Sequence, residues 1–234
     1  MSRAGPPGIG GSALCGRRAI GILGEAILLT IGTLLPIMNP FSTAPLFVSL
    51  TANMSEKRRT QQARMACVYA FAILVTFLLL GAWIIDFFGI SVPGLRVAGG
   101  LIISVIGFKM LFPAPAPAQA DGAAAAQDQD VAFTPLAMPS LAGPGSISVV
   151  LTAAAQIRST HPQDWVLIYA GVVAGMVLTL IFALLVLRAS QLMVRYMGAA
   201  GIDAMTRIFG FLLIAIGMQF LLTGISDFYG IAAP

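Results

Sequence analysis

The chain alternates between long apolar runs and short segments that hold the charged residues. A helix needs roughly 20 residues to cross a hydrocarbon layer about 30 Å thick, and it satisfies its own backbone hydrogen bonds without water. Six nearly uncharged runs reach or approach that length, and they cover residues 26–55, 65–85, 97–112, 131–157, 165–187 and 208–226. The pattern predicts an all-α, polytopic membrane protein with six transmembrane helices.

Composition supports the same conclusion. Hydrophobic residues make up 58% of the chain, charged residues 9%, and the mean hydropathy is +0.93, whereas a soluble domain carries about 25% charged residues. The net charge of +4 could suggest nucleic acid in a soluble protein. Here the Lys and Arg residues lie between apolar runs, where they set topology. We therefore expect membrane lipid, and no nucleic acid, as a partner.

The basic residues also predict an orientation. With six crossings, both termini lie on one side of the membrane. Five Lys and Arg residues then fall on the side of the termini and eight on the opposite side. Because Lys and Arg concentrate in cytoplasmic loops, the count predicts that both termini face outward, away from the cytoplasm.

The prolines reveal an internal repeat. Two triplets have the same spacings of four and five residues and are displaced by 99 positions: Pro36, Pro40 and Pro45, then Pro135, Pro139 and Pro144. A second match, displaced by 111 positions, relates Arg96 and Gly99 to Arg207 and Gly210. An odd number of spans per copy inverts the second copy in the membrane. The chain is therefore predicted to be a 3+3 inverted repeat, which is a transporter architecture.

The repeat divides the chain into four parts. Residues 19–112 form the first three-helix repeat and residues 131–234 the second. Between them, residues 113–130 are low in complexity and mildly acidic, which predicts a flexible cytoplasmic linker. Residues 1–18 are predicted to be an N-terminal tail.

Prolines four or five residues apart predict that the first and fourth helices are broken, because proline lacks an N–H and clashes with the preceding turn. Exposed backbone persists inside a membrane only where protein, water or a ligand covers it. The candidate substrate-binding residues are Asn39, Pro40, Ser42, Thr43 and Pro45 at the first break, and Pro139, Ser140, Gly143, Pro144, Gly145 and Ser146 at the second. Free N–H groups suit a carboxylate, and carbonyls and hydroxyls suit an ammonium group. These groups together predict a small zwitterionic substrate.

Other interpretations stay open at this stage. The serine and threonine hydroxyls could instead bond to their own helix backbone. A membrane scaffold or regulatory protein without cargo, or a passive channel, would also carry broken helices. An enzyme is not expected, because His161 is the single histidine and no Ser–His pair or metal-ligand spacing occurs. We accordingly expect no cofactor and no metal, and the sequence does not define an oligomeric state.

Four stretches, LLPIMNPFSTAPLF, DFFGISVPGLRVAGGLIISVIGFKMLFP, PLAMPSLAGPGSIS and GFLLIAIGMQFLLTGI, closely resemble the MarC family of bacterial inner-membrane proteins. The resemblance covers about residues 19–230. It implies six spans, termini in the periplasm and a place in the bacterial inner membrane. Some members are regarded as transporters or exporters of small neutral amino acids. The resemblance thus implies export of an alanine- or glycine-like substrate by alternating access, with a scaffold as the alternative.

The family's signatures can be placed on this sequence. An N/D-P-x4-P signature falls on Asn39, Pro40 and Pro45, and a P-x3-G-P-G signature on Pro139, Gly143, Pro144 and Gly145. Many relatives have Asp before the first proline and Gly at the position of Ser42. Because Asn39 removes a possible intramembrane carboxylate, this departure from the family pattern argues against ion coupling at this position.

Overall fold

A computed structural model describes residues 10–113, 132–160 and 163–231, and all regular structure in these residues is helical. The all-α prediction is confirmed. Gly198, with φ 63° and ψ −179°, interrupts the last long helix and divides it in two. In chain order the helices are α1 (Gly10–Met38), α2 (Pro40–Leu50), α3 (Glu56–Phe88), α4 (Val92–Leu111), α5 (Ala132–Leu141), α6 (Pro144–Thr160), α7 (Trp165–Gly198) and α8 (Ala200–Tyr229).

Five helices in the described residues are long and apolar enough to cross a membrane. They are Ala19–Met38 of α1, together with α3, α4, α7 and α8. The predicted runs 26–55 and 131–157 are each divided between two helices, α1 with α2 and α5 with α6. With 10 and 17 residues, α5 and α6 are each too short to count as a span alone. In the described residues the protein is multi-pass and helical, with five candidate spans, and the span in α1 is also part of one of the two interrupted segments.

The first break is shorter than predicted. Asn39 alone leaves the helix and α2 begins at Pro40, so the prediction that the whole segment to Pro45 unwinds is wrong. A proline at the first helical position loses no bond, because that N–H has no acceptor within the helix. Pro45 lies inside α2, where the buried side chains of Ala44 and Phe47 pack the helix against its neighbours.

The second break is longer. Within α5 the backbone is extended at Thr134 and Met138, where φ is −125° at both residues. The helix ends shortly before Gly143, and α6 begins at Pro144. Pro139 therefore lies inside α5, between a kink and the break, and only Pro144 begins a helix as Pro40 does.

The pair α1 and α2 lies along α7 in the same direction. A Cβ added to Gly175 would lie 2.6 Å from the Cβ of Thr30, and farther along both elements the rings of Phe41 and Phe182 are 6.0 Å apart. The ring of Phe41 also stacks on Phe209 at 5.3 Å. Thus α8 returns beside α7 after the interruption between them.

The pair α5 and α6 lies along α3 in the corresponding way. The rings of Phe133 and Tyr69 are 5.6 Å apart, and farther along a Cβ on Gly81 would lie 3.1 Å from the Cβ of Ala154. Each interrupted pair therefore runs parallel to a long helix from the other half of the chain.

Helices α4 and α8 form a close antiparallel contact through glycine. A Cβ on Gly100 would lie 2.5 Å from the carbonyl oxygen of Gly217, and one on Gly107 would lie 2.7 Å from that of Gly210. Under a displacement of 110 positions, Gly100 and Gly107 of α4 correspond to Gly210 and Gly217 of α8, so the repeat relates each of the two contacts to the other. Small residues let helix backbones approach, so these glycines allow the close packing of α4 on α8.

Two predicted segments fall partly or mainly outside the described residues. Helix α1 begins at Gly10, inside the predicted tail 1–18, and the first nine residues lie outside the described part of the chain. Of the predicted linker 113–130, only Pro113 is among the described residues.

Candidate functional site

The two breaks face one cavity of about 600 Å³. The first break contributes Asn39, Ser42 and Thr43, and the second contributes Ser140, Gly143, Pro144 and Ser146. The remaining lining residues are apolar and come from α1, α2 and α4: Ile37, Met38, Leu46, Leu101, Ile102, Val105, Ile106 and Met110. Seven of the eleven predicted site residues therefore line a single cavity, although the two groups are about 100 positions apart in sequence.

Asn39 fixes the geometry of the first break. It is 3% exposed, and its φ of 34° and ψ of 69° put its backbone in the left-handed region, which asparagine adopts more readily than most residues. Its side-chain oxygen accepts a hydrogen bond from the N–H of Ser42 at 3.3 Å, which caps α2. Its amide nitrogen donates to the Met110 sulfur at 3.8 Å. One residue thus ends α1, begins α2 and joins both to α4.

The hydroxyl groups at the breaks bond to backbone carbonyls. Those of Ser42 and Thr43 donate to the carbonyl oxygen of Asn39 at 3.4 and 3.3 Å, and that of Ser146 donates to the carbonyl oxygen of Gly143 at 3.0 Å. These three hydroxyls therefore bond to nearby backbone carbonyls, as the alternative interpretation of the sequence proposes. Each hydroxyl oxygen still has lone pairs that can accept a hydrogen bond.

The first turn of α6 borders the same cavity. Because Pro144 has no N–H, the first amides of this helix belong to Gly145 and Ser146, and they have no acceptor within the helix. The N–H of Ile147 makes the first helical bond, to the carbonyl oxygen of Gly143 at 3.0 Å. The positive end of the α6 dipole therefore faces the cavity and favours a negatively charged group.

Three predicted site residues with described side chains are not among the lining residues, and the side chain of a fourth, Pro139, lies outside the described part of the structure. Pro40 is buried at the start of α2, and Pro45 is half-buried inside it. Pro139 lies in α5. A Cβ on Gly145 would lie 3.1 Å from Ile37 Cγ2, so this glycine lets α6 pack closely against α1. Direct contact of these four residues with a ligand stays a prediction.

Helix α4 forms a wall of the cavity that sequence reasoning missed. Leu101, Val105 and Met110 lie on this wall, but they read as ordinary residues of an apolar span. The available signal was indirect. Gly100 and Gly107 mark the face of α4 that packs on α8, so the other faces of this helix are available to line the cavity.

A second cavity of about 460 Å³ lies beyond the first, along α1 and α6. Leu34 and Val150 line it and are 1% and 2% exposed. Ile37 and Ser146, about one helical turn nearer the breaks, line the first cavity. A layer about one turn thick therefore separates the two cavities.

Arg96 lines the second cavity and forms an ion pair with Asp227 of α8. Its predicted counterpart in the repeat, Arg207, pairs with Asp203 on the same helix at 2.8 Å. Both arginines therefore form ion pairs with aspartate. Arg96 is the one that links α4 to α8.

These features define a class: a multi-pass α-helical membrane protein in which two interrupted helices meet at a cavity lined by apolar and uncharged polar residues. Residues 24–229 match the family described as "MarC family integral membrane protein". The chain belongs to the MarC family.

Its relatives include proteins named "UPF0056 inner membrane protein MarC" from Escherichia coli O1:K1 / APEC, Escherichia coli (strain K12) and Shigella flexneri. Each is 41% identical over 213 residues, which cover 87% of this chain and 95% of the relative. No solved structure matches the chain. The family places it among multi-pass proteins of the bacterial inner membrane.

Proposed function

We propose that this protein is a transporter that exports small neutral amino acids of the alanine or glycine type by alternating access. In this proposal the chain makes six crossings as two inverted three-helix halves, with both termini in the periplasm, and it is not an enzyme. The observation that carries the proposal is the shared cavity, which is lined by helix breaks from both halves. Substrate sites where discontinuous helices of inverted repeats meet are a transporter feature.

The cavity offers complementary groups to the two ends of a zwitterion. The amide of Ser146, at the positive end of α6, suits a carboxylate. The carbonyl groups at the end of α1 have no donor within the helix, and the cavity-lining residues Ile37 and Met38 lie there. These carbonyls suit an ammonium group. The apolar wall of α4 suits a small aliphatic side chain. A neutral amino acid would therefore fit without a charged partner from the lining.

The two cavities support alternating access. Leu34 and Val150 are buried between them, on α1 and α6. A movement of α6 relative to α1 by about one side-chain width would join the cavities and open the site toward the end of the molecule that carries Arg96.

The test is the flux of labelled alanine, glycine and serine in proteoliposomes. Ser42→Leu and Ser146→Leu each put a larger apolar side chain into the cavity, and Ser49→Leu is the matched control because Ser49 is exposed on α2. We expect saturable flux that falls about tenfold or more in the cavity variants, the effect of losing about 1.4 kcal/mol of binding. The control should retain flux.

Normal elution in size-exclusion chromatography must accompany any loss of flux. Flux that does not saturate would indicate a channel. No flux of any of the three amino acids in the native protein, with or without an ion gradient, would contradict the proposal and favour a scaffold without cargo.

A further inference from the structure

A buried arginine lies at the opposite end of α2 from the breaks. Arg59, in the second turn of α3, is only 7% exposed. It lines a cavity of about 290 Å³ together with Phe47 of α2, Arg188 of α7 and neighbouring residues of α3, namely Glu56, Thr60 and Ala63. This cavity is separate from the two described above and joins three helices from both halves of the chain.

The guanidinium group of Arg59 has no hydrogen-bond or ion-pair partner among the described side chains. Arginine stays protonated in proteins, so it cannot avoid the cost of burial by losing its charge. Burying an unpaired charge is strongly unfavourable, and an anion bound in the cavity would offset that cost. Glu56 lines the same cavity but forms no ion pair with Arg59 or Arg188.

The cavity lies at the level of a membrane surface. Arg59 precedes the apolar run that starts at Met65 by six residues, about 9 Å of helix. Arg188 directly follows the apolar run 165–187. Both arginines belong to the side that the charge count assigns to the cytoplasm, where anionic lipids attract Lys and Arg.

We propose that this cavity binds the phosphate of an anionic phospholipid headgroup. Arg59 and Arg188 offer forked N–H donors that match phosphate oxygens, and Thr60 offers a hydroxyl. Two arginines and Glu56 give the lining a net charge of +1, which matches the single charge of a phosphodiester better than the higher charge of inorganic phosphate. The lipid would connect α3 of the first half to α7 of the second.

The test uses the full-length protein in neutral detergent. Native mass spectrometry measures retention of phosphatidylglycerol and of phosphatidylcholine with the same acyl chains, and thermal unfolding is followed with each lipid or with inorganic phosphate. The variants are Arg59→Gln, Arg188→Gln and the control Arg64→Gln, which removes an equal charge from an exposed position of α3.

We expect preferential retention of phosphatidylglycerol by the native protein, about tenfold weaker in Arg59→Gln and Arg188→Gln and unchanged in Arg64→Gln. With phosphatidylcholine alone, Arg59→Gln should unfold at the native temperature or above, because it removes an unpaired buried charge. If Arg59→Gln does not fold, the Arg188→Gln variant alone tests the proposal, because Arg188 is exposed.

Equal retention by the native protein and all three variants would overturn the proposal. Stabilisation by inorganic phosphate as great as that by phosphatidylglycerol would also overturn it, since the site would then bind a soluble anion.

Discussion

The two helix breaks have the same three prolines at the same spacing, yet the backbone leaves the helix at different places. At the first break only Asn39 is non-helical, and the third proline of its triplet, Pro45, continues α2. At the second, the backbone is extended at Met138 and broken around Gly143, and the third proline, Pro144, begins α6. The prolines determine that a break occurs, and the residues between them determine where.

Two substitutions within the repeat account for the difference. Asn39 corresponds to Met138 under the displacement of 99. Asparagine tolerates the left-handed region and caps the next helix, so one residue suffices. Methionine has no capping oxygen, and Met138 is extended instead. Likewise Ala44, fully buried in α2, corresponds to Gly143. Glycine favours the end of a helix, and alanine favours its continuation.

The largest expected effect is at Asn39. Asn39→Val should lower the free energy of unfolding by about 3 kcal/mol, because a β-branched residue is strained in the left-handed region and the cap on Ser42 is lost. The corresponding change Met138→Val should cost less than about 1 kcal/mol, since β-branched residues favour extended backbone.

Unfolding of both variants in mixed SDS–detergent micelles measures the difference. Asn39→Gly is the control for strain, because glycine keeps the positive φ and loses only the side chain. Similar losses at positions 39 and 138 would show that the asymmetry between the breaks has another cause.

A smaller effect is expected in α4, which lines the cavity beside both breaks. In Gly107→Ala the new Cβ would lie 2.7 Å from Gly210 O and 2.8 Å from Ile214 N, and backbone atoms cannot move aside as side chains can. We expect a loss of about 2 kcal/mol from overpacking. Gly32→Ala is the control, because its Cβ would meet nothing within 4 Å. Equal stability of the two variants in the same micelle titration would argue against the α4–α8 contact.

The smallest effect tests the correspondence of Ala44 with Gly143. Ala44→Gly should lower the free energy of unfolding by about 1.5 kcal/mol, because it removes a fully buried methyl group and weakens helix formation. Ala52→Gly, at an exposed turn after α2, should change it by less than about 0.5 kcal/mol. Hydrogen exchange of the α2 amides should rise in the first variant only. No change in α2 exchange would contradict the role given to Ala44.

The sequence predicted both breaks because the missing N–H of proline is a local property. Through the repeat it also predicted that Asn39 and Ser146 would share a site, and both line the cavity. It could not predict that Pro45 stays helical, because this depends on how Ala44 and Phe47 pack against other helices. Such packing involves residues that are distant in sequence.

The same limit applies to Arg59. In the sequence it is one of a group of basic residues between two apolar runs. Such a group predicts the orientation of the chain in the membrane and nothing about the burial of one member. Its burial depends on α2 and α7, which lie beside α3 at that level. Hydropathy reports how apolar a segment is, but it does not report which neighbour covers a particular side chain.

The glycine contact between α4 and α8 has a mechanical consequence. Gly100 and Gly107 are seven residues apart, about 10 Å along the helix, and both face backbone of α8 at the positions of Gly217 and Gly210. At these points the glycines of the two helices present no side chain of their own, so a rotation of one helix against the other would have to repack only neighbouring side chains such as Ile214 and Leu221. Since a displacement of 110 positions exchanges the two contacts, we expect such a rotation to move the two halves by equal and opposite amounts about a pivot midway between them.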